Sequence, residues 1–253
     1  QVRVKEENKL REERAGQLPD TKLTSKRLME LHVQAMYTFD PSQRLLQVNE
    51  PWPNPPRAPR MFLTRSIDGD IACRFRKDLP DNLVQRLAER VVLEQAPLHL
   101  ADAPRYRKDY LHLLEAEQED YGPCYWIPEI PTMPGNVMFL NRENIQPLLP
   151  DAFSWLAQEI SYVHPCAAVI QDGQVVSICR SVRVGSEAVE AGLETLPAYR
   201  GRGYAGFVVA AWASAVRKEG REPLYSTAWD NLSSQQVAKK LGMRWYGVTF
   251  TVW

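Results

Sequence analysis

The chain has 253 residues, 44% hydrophobic and 25% charged, and its 31 basic and 31 acidic side chains cancel to a formal net charge of zero. Such a chain is long enough to bury one or two real cores, so intrinsic disorder and a small disulfide-stapled scaffold are both excluded. The charge balance removes the basic footprint of a nucleic-acid binder, and no apolar run reaches the roughly 18 residues that a membrane helix needs.

The opening stretch QVRVKEENKLREERAG lacks an apolar signal core, so a cytoplasmic location is expected; beginning with Gln, it suits a fragment or a processed chain. Residues 1–17 can form a solvated helix, and Leu23, Leu28, Leu31, Met36 and Tyr37 space a second one over 23–37. SQRLLQVNEPW and APRMFLTRSIDGDIACRFR read as short strands, with Asp68-Gly69 marking a hairpin turn in the second. The proline-rich 51–59 is a surface loop. Helices follow around 80–95 and 104–119; Leu83, Leu87, Val91 and Val92 give the first its apolar stripe, with Asp81 near its start.

YGPCYWIPEIPTMPG, residues 121–135, has four prolines and two glycines, which predicts a long connection or a domain boundary. Its Tyr121, Tyr125 and Trp126 either line a substrate pocket or pack the connector onto the body. NRENIQPLLPDAFSWLAQEI contains a helical stretch, and three strand-like runs follow, the first two joined by a tight Asp172-Gly173 turn and the third spanning 186–196. A helix over 204–219 follows from Tyr204, Phe207, Val208, Ala211, Trp212 and Ala215 at helical spacing, with Gly220 as its stop. LYSTAW is a strand, NLSSQQVAKKL a helix closed by Gly242, and YGVTFTVW a last strand. The four cysteines and four histidines form no C-x-x-C or H-x-x-x-H pattern, so no metal site is expected; His164-Pro165-Cys166 is the nearest approach to one.

The stretch LPAYRGRGYAGF carries two overlapping motifs. Gly201, Gly203 and Gly206 spell G-x-G-x-x-G; Arg200, Gly203 and Ala205 spell R-x-x-G-x-A. Both suit a diphosphate, because a glycine turn at a helix N-terminus presents free N–H groups and the positive end of the helix dipole. A nicotinamide-binding unit needs several parallel strands after its glycine turn. Only about 50 residues follow here, and the preceding strands are antiparallel hairpins, so topology disfavours a dinucleotide site even with Asp230 at a plausible ribose distance. A strand-turn-helix junction with no ligand is the plain alternative.

Antiparallel hairpin, strand, R-x-x-G-x-A, helix, strand, Asn-led helix, Gly, strand: this order over residues 136–253 resembles the GNAT superfamily of acetyl-CoA-dependent N-acyltransferases. The likeness is strongest over 188–243, where Asn231, Ser234, Gly242 and Met243 fall at the family's spacing. The resemblance implies an α+β fold with a mixed, mostly antiparallel sheet and flanking helices over 131–253, preceded by a smaller α+β region, 1–130, of unknown role or serving acceptor recognition. It implies acetyl-CoA as cofactor, held by Arg200, Gly201, Arg202, Gly203, Tyr204, Ala205 and Gly206 at the diphosphate. Leu193, Glu194 and Thr195 would hold the pantetheine arm. Asn231, with Ser234, either touches that arm or caps a helix.

The implied activity is acetyl transfer to an amine of a small molecule or a protein by direct attack; a non-catalytic acyl-CoA sensor or scaffold is the alternative. Transfer needs a base for the amine, donors for the oxyanion and a proton for the thiolate. Glu190 and Glu194 share one strand face and are the candidate bases, or merely face solvent. The family's usual acidic tyrosine falls at Ala238, leaving Tyr199, Tyr204 or Tyr246 as substitutes.

Overall fold

The computed structural model describes residues 23–131 and 137–253. The solvated helix expected over 1–17 and the end of the proline-rich connector lie outside them. Thr24 accepts a hydrogen bond from the Arg27 amide and opens α1 (Ser25–Met36), which turns Leu28, Met29, Leu31, His32 and Ala35 inward. A small hairpin, β1 (Tyr37–Phe39) and β2 (Leu45–Val48), follows. Then β3 (Met61–Ser66), buried at every residue, folds back onto β4 (Ile71–Phe75) around the expected Asp68-Gly69 turn. Helices α2 (Asp81–Val91) and α3 (Arg107–Leu114) cover them through Leu87, Val91, Tyr110 and Leu114.

α3 stops short of residue 119 because a strand starts there. Residues Glu119–Trp126 form β5, paired on both sides, where the prolines and glycines predicted irregular chain. Pro123 is tolerated in this central strand for a local reason. Its carbonyl accepts from Thr227 N at 3.3 Å, just past the end of the neighbouring strand, so its missing N–H points where pairing has already ended.

The rest of the chain supplies β6 (Val137–Phe139), the short α4 (Leu156–Glu159), β7 (Cys166–Gln171), β8 (Gln174–Val184) and β9 (Ala188–Thr195). After them come α5 (Tyr204–Lys218), β10 (Glu222–Ser226), α6 (Leu232–Lys240) and β11 (Arg244–Val252). The helical stretch expected within 141–160 shrinks to two 3-10 turns and α4, since Pro147 and Pro150 cut it.

One nine-stranded sheet results, in the order β4-β3-β11-β5-β10-β9-β8-β7-β6. Among the described residues β9–β10 is its one parallel pairing. This is an α+β architecture with a mixed, mostly antiparallel sheet and flanking helices, as the resemblance implied. Strands from both sides of the expected boundary near residue 130 share it. α5 covers one face, its Val208, Val209, Trp212, Ala213 and Val216 packed on Val176, Cys179, Val189 and Ala191. Each of the valines so withdrawn from water contributes roughly 1.5–3 kcal/mol. The opposite face takes α1, which meets Cys124, Ala188, Leu224 and Tyr246. No helix among the described residues is long and apolar enough to cross a membrane.

Candidate functional site

The parallel pair opens. β9 and β10 are in register at Ala188/Glu222, Val189/Pro223 and Glu190/Leu224, and there the pairing ends. β9 continues along β8 to Thr195, while β10 leans onto β5 through Tyr225 and Ser226. The strands therefore diverge from an apex at Glu190 and Leu224, and the backbone edge of Ala191–Thr195 is left facing the gap.

A cleft of about 750 Å³ occupies this side of the sheet. Leu193, Glu194 and Thr195 form one wall, the Arg200–Phe207 turn another, and Asn231, Ser234 and Val237 of α6 a third. Gly201 and Gly203 have φ of +76° and +84°, the left-handed region that glycine enters without strain. A Cβ at Gly203 would meet no protein atom within 4 Å. The turn leaves the amides of Gly201, Arg202, Gly203, Tyr204 and Ala205 without a backbone acceptor among the described residues. Five free N–H groups at the start of a 15-residue helix, beside Arg200, make a seat for an anion.

Of the residues expected to hold the cofactor, Leu193, Glu194, Thr195, Arg200, Gly201, Gly203, Tyr204, Ala205, Gly206, Asn231 and Ser234 all line the cleft. Arg202 does not; its guanidinium lies 5.1 Å over the Tyr199 ring and donates to the Ala198 carbonyl at 3.3 Å. Asn231 caps α6, its Oδ1 accepting from Ser234 N at 3.1 Å and from Ser233 Oγ at 2.9 Å. The Ser234 hydroxyl hydrogen-bonds the Tyr225 hydroxyl.

The two candidate bases sit in different surroundings. Glu194 is 44% exposed and ion-paired to Arg180, which lies 4.4 Å over the Trp155 ring. Glu190, 4% exposed, sits at the apex on the α1 face. Its Oε1 accepts from Ser226 Oγ at 2.6 Å, and its Oε2 is buried with no hydrogen-bond partner. His32 Nδ1 lies 3.9 Å from that oxygen and 2.9 Å from the Tyr246 hydroxyl. Burial raises the Glu190 carboxyl from an ordinary 4.5 to about 7, against the hydrogen bond from Ser226. Burial also pulls His32 down to about 4, so its ring is neutral near pH 7. Glu190 does not line the main cleft; it closes the apex.

Ala238 is fully buried among the α5 core residues. Tyr199 and Tyr204 line the cleft, and Tyr246 is sealed against His32. Tyr225, which sequence reading passed over, presents its hydroxyl at the cleft wall through Ser234, with burial raising it to about 12. Trp126 is away from the cleft: its indole donates to Glu222 at 2.7 Å, and the guanidinium groups of Arg217 and Arg244 lie 5.3 and 5.1 Å from its ring centroid.

A splayed parallel pair ending in a glycine turn at a helix N-terminus gives this α+β sheet a cleft with a seat for an anion at one end. Residues 166–247 match the family described as GNAT acetyltransferase, and that segment of the chain belongs to the GNAT superfamily. Solved structures that resemble the chain include a putative GNAT-family acetyltransferase from Novosphingobium aromaticivorans, 18% identical, covering 54% of this chain and 65% of its own, with a TM-score of 0.46. A GNAT-family acetyltransferase from Colwellia psychrerythraea is 13% identical over 76% and 81%, at 0.47. A putative acetyltransferase from Salmonella typhimurium, solved with its cofactor acetyl-CoA, is 14% identical over 47% and 92%, at 0.35. The chain thus spans just under two thirds of the first of these. No curated protein matches it in sequence.

Proposed function

We propose that this protein is an acetyl-CoA-dependent N-acetyltransferase. The observation that carries the reading is one continuous feature: a free strand edge over 191–195 leading to five unpartnered amides at the start of α5. The residues fit the cofactor. The amides of Gly201–Ala205 with Arg200 would hold its diphosphate, and the edge of Leu193–Thr195 would pair with the amides of its pantetheine arm. Bound acetyl-CoA would supply an activated thioester.

Glu190 is the better base of the two. Glu194 is already held by Arg180, whereas Glu190 has one oxygen without a partner and a carboxyl poised near neutrality. Glu190, at the apex rather than in the cleft lining, would take the proton of the acceptor amine directly or through a water as the new C–N bond forms, and Ser226 holds the carboxylate in place. Backbone N–H groups on the free β9 edge beside the apex would be the donors that stabilise the oxyanion. Water, or the Tyr225 hydroxyl that stands behind Ser234 at the cleft wall, would supply the proton that the released thiolate needs, a role for which Ala238 has no group.

The test is thermal. A ligand that binds only the folded state raises its melting temperature, so acetyl-CoA and CoA should do so and NAD and NADP should not. A shift with a nicotinamide and none with CoA sinks the reading. With binding in hand, a turnover screen against amines, amino acids, polyamines and aminoglycosides separates an enzyme from a binding module, the second reading that the apolar Ala238 favours.

A further inference from the structure

We infer, on the transferase reading above, that His32 of α1 is a positioning residue for Glu190, its ring held by the Tyr246 hydroxyl so that Nδ1–H stands beside the unpartnered Glu190 carboxylate oxygen and favours its charged form. The buried apex leaves few other arrangements. Glu190 Oε2 has no hydrogen-bond partner, and Oε1 takes only the Ser226 hydroxyl. A carboxylate sealed with a single donor is costly to ionise. His32 is 1% exposed, and its Nδ1 is the nitrogen that points at this pair, 2.9 Å from Tyr246 Oη and 3.9 Å from Oε2. A neutral imidazole carries one N–H; placed on Nδ1 it is within hydrogen-bond distance of Tyr246 Oη and acts on the more distant Oε2 as a nearby partial positive charge.

Every element around Glu190 contributes something else. β8 brings Arg183, whose charge favours the anion, and the Cys179 thiol. β5 brings the Cys124 thiol, β10 the Ser226 hydroxyl and the Tyr225 phenol, and β11 the Tyr246 phenol. The thiols and phenols are neutral, because burial holds each one up. Only α1 adds a ring N–H, and it does so from the face that covers the base. His32 thereby opposes the desolvation of Glu190 and lets it ionise near working pH, while Tyr246 competes for the same hydrogen and limits the effect.

The experiment is a direct titration of the full chain labelled at glutamate Cδ with carbon-13, the Glu190 resonance assigned by its loss in Glu190→Gln. His32→Phe keeps the ring volume and the stack on Phe62 (6.2 Å between centroids) but removes the N–H; the Glu190 midpoint should rise by about one pH unit or more. Tyr246→Phe frees the hydrogen for Glu190, and the midpoint should fall. His32→Gln returns an N–H and should bring the midpoint back toward the wild type. A midpoint unchanged or lowered in His32→Phe, or not lowered in Tyr246→Phe, overturns the inference and leaves His32 as packing. If His32→Phe does not fold, the Tyr246→Phe result decides alone. Melting shifts with CoA on the same wild-type sample test the transferase reading separately, because the titration needs no ligand.

Discussion

Glu190→Gln should change the way stability depends on pH, and the size of the change follows from burial at the apex. Unfolded, the carboxyl titrates at an ordinary 4.5; folded, it titrates at about 7. Below 4.5 it is protonated in both states and exerts no pull. As the pH rises toward 7 the unfolded chain ionises first, so stability is lost across that window and the loss is complete above it. The full loss is about 3 kcal/mol, most of which falls between pH 5 and pH 8. Glutamine removes this dependence. Its amide carries a constant cost of about 1–3 kcal/mol if left unpaired, but a constant cost does not vary with pH. Urea unfolding of both proteins at pH 5, 6, 7 and 8 should therefore show the variant gaining on the wild type by about 2–3 kcal/mol across the series. His32 titrates in both proteins, losing stability as the pH falls below its unfolded value of 6.5, and largely cancels in the comparison. Two stability curves that run parallel within about 0.5 kcal/mol would mean that Glu190 ionises as an ordinary carboxylate, and the case for it as a base tuned by burial would fail.

The same Glu190→Gln variant should lose roughly 10²–10⁴-fold in turnover, measured on whichever amine the screen finds, with CoA affinity unchanged. Gly203→Val puts a branched side chain at φ +84°, where the built Cβ points into open cleft; about 1–3 kcal/mol of stability should go, and calorimetric titration should show CoA binding collapse. Gly122→Ala drives a Cβ into the Thr227 carbonyl oxygen and to 2.9 Å from Trp229 N. The β10–α6 loop must then shift, and CoA affinity should fall along with stability although residue 122 is outside the cleft. Asn231→Ala removes the cap of α6 and should cost about 1 kcal/mol in denaturant unfolding; a neutral result would mean that the cap adds nothing.

Legibility tracked locality. α5 was readable because its apolar spacing, its glycine turn and the stop at Gly220 all lie within one short stretch, and the expected lining residues other than Arg202 do meet at the cleft. Strand parity alone put Glu190 and Glu194 on one face. Parity could not say that α1 seals one of them while solvent reaches the other. His32, Ser226 and Tyr246 were invisible as a group, since they come from α1, β10 and β11 and meet only across the sheet. Their one sequence signal was an apolar helix face and two strand faces, each interrupted by a polar residue. β5 was missed because Pro123 and Gly122 argue against a strand. What makes them acceptable, the end of β10 and the close approach of the Thr227–Trp229 backbone, belongs to distant chain.

β5 lies between β10 and β11, two successive strands that therefore never touch as neighbours. A chain starting at residue 131 would leave both with unsatisfied ladder groups, and one of those strands is a wall of the opening that leads to Glu190. The second half of the chain is thus no transplantable cassette. Its central slot is filled by a segment from the first half of the chain, so the sheet closes over long loops and cannot zip up in sequence order, a topology that slows folding. Cutting the chain between β5 and β6 in the folded protein should leave the two pieces held together, while making them separately should yield neither a bound cofactor nor a soluble sheet.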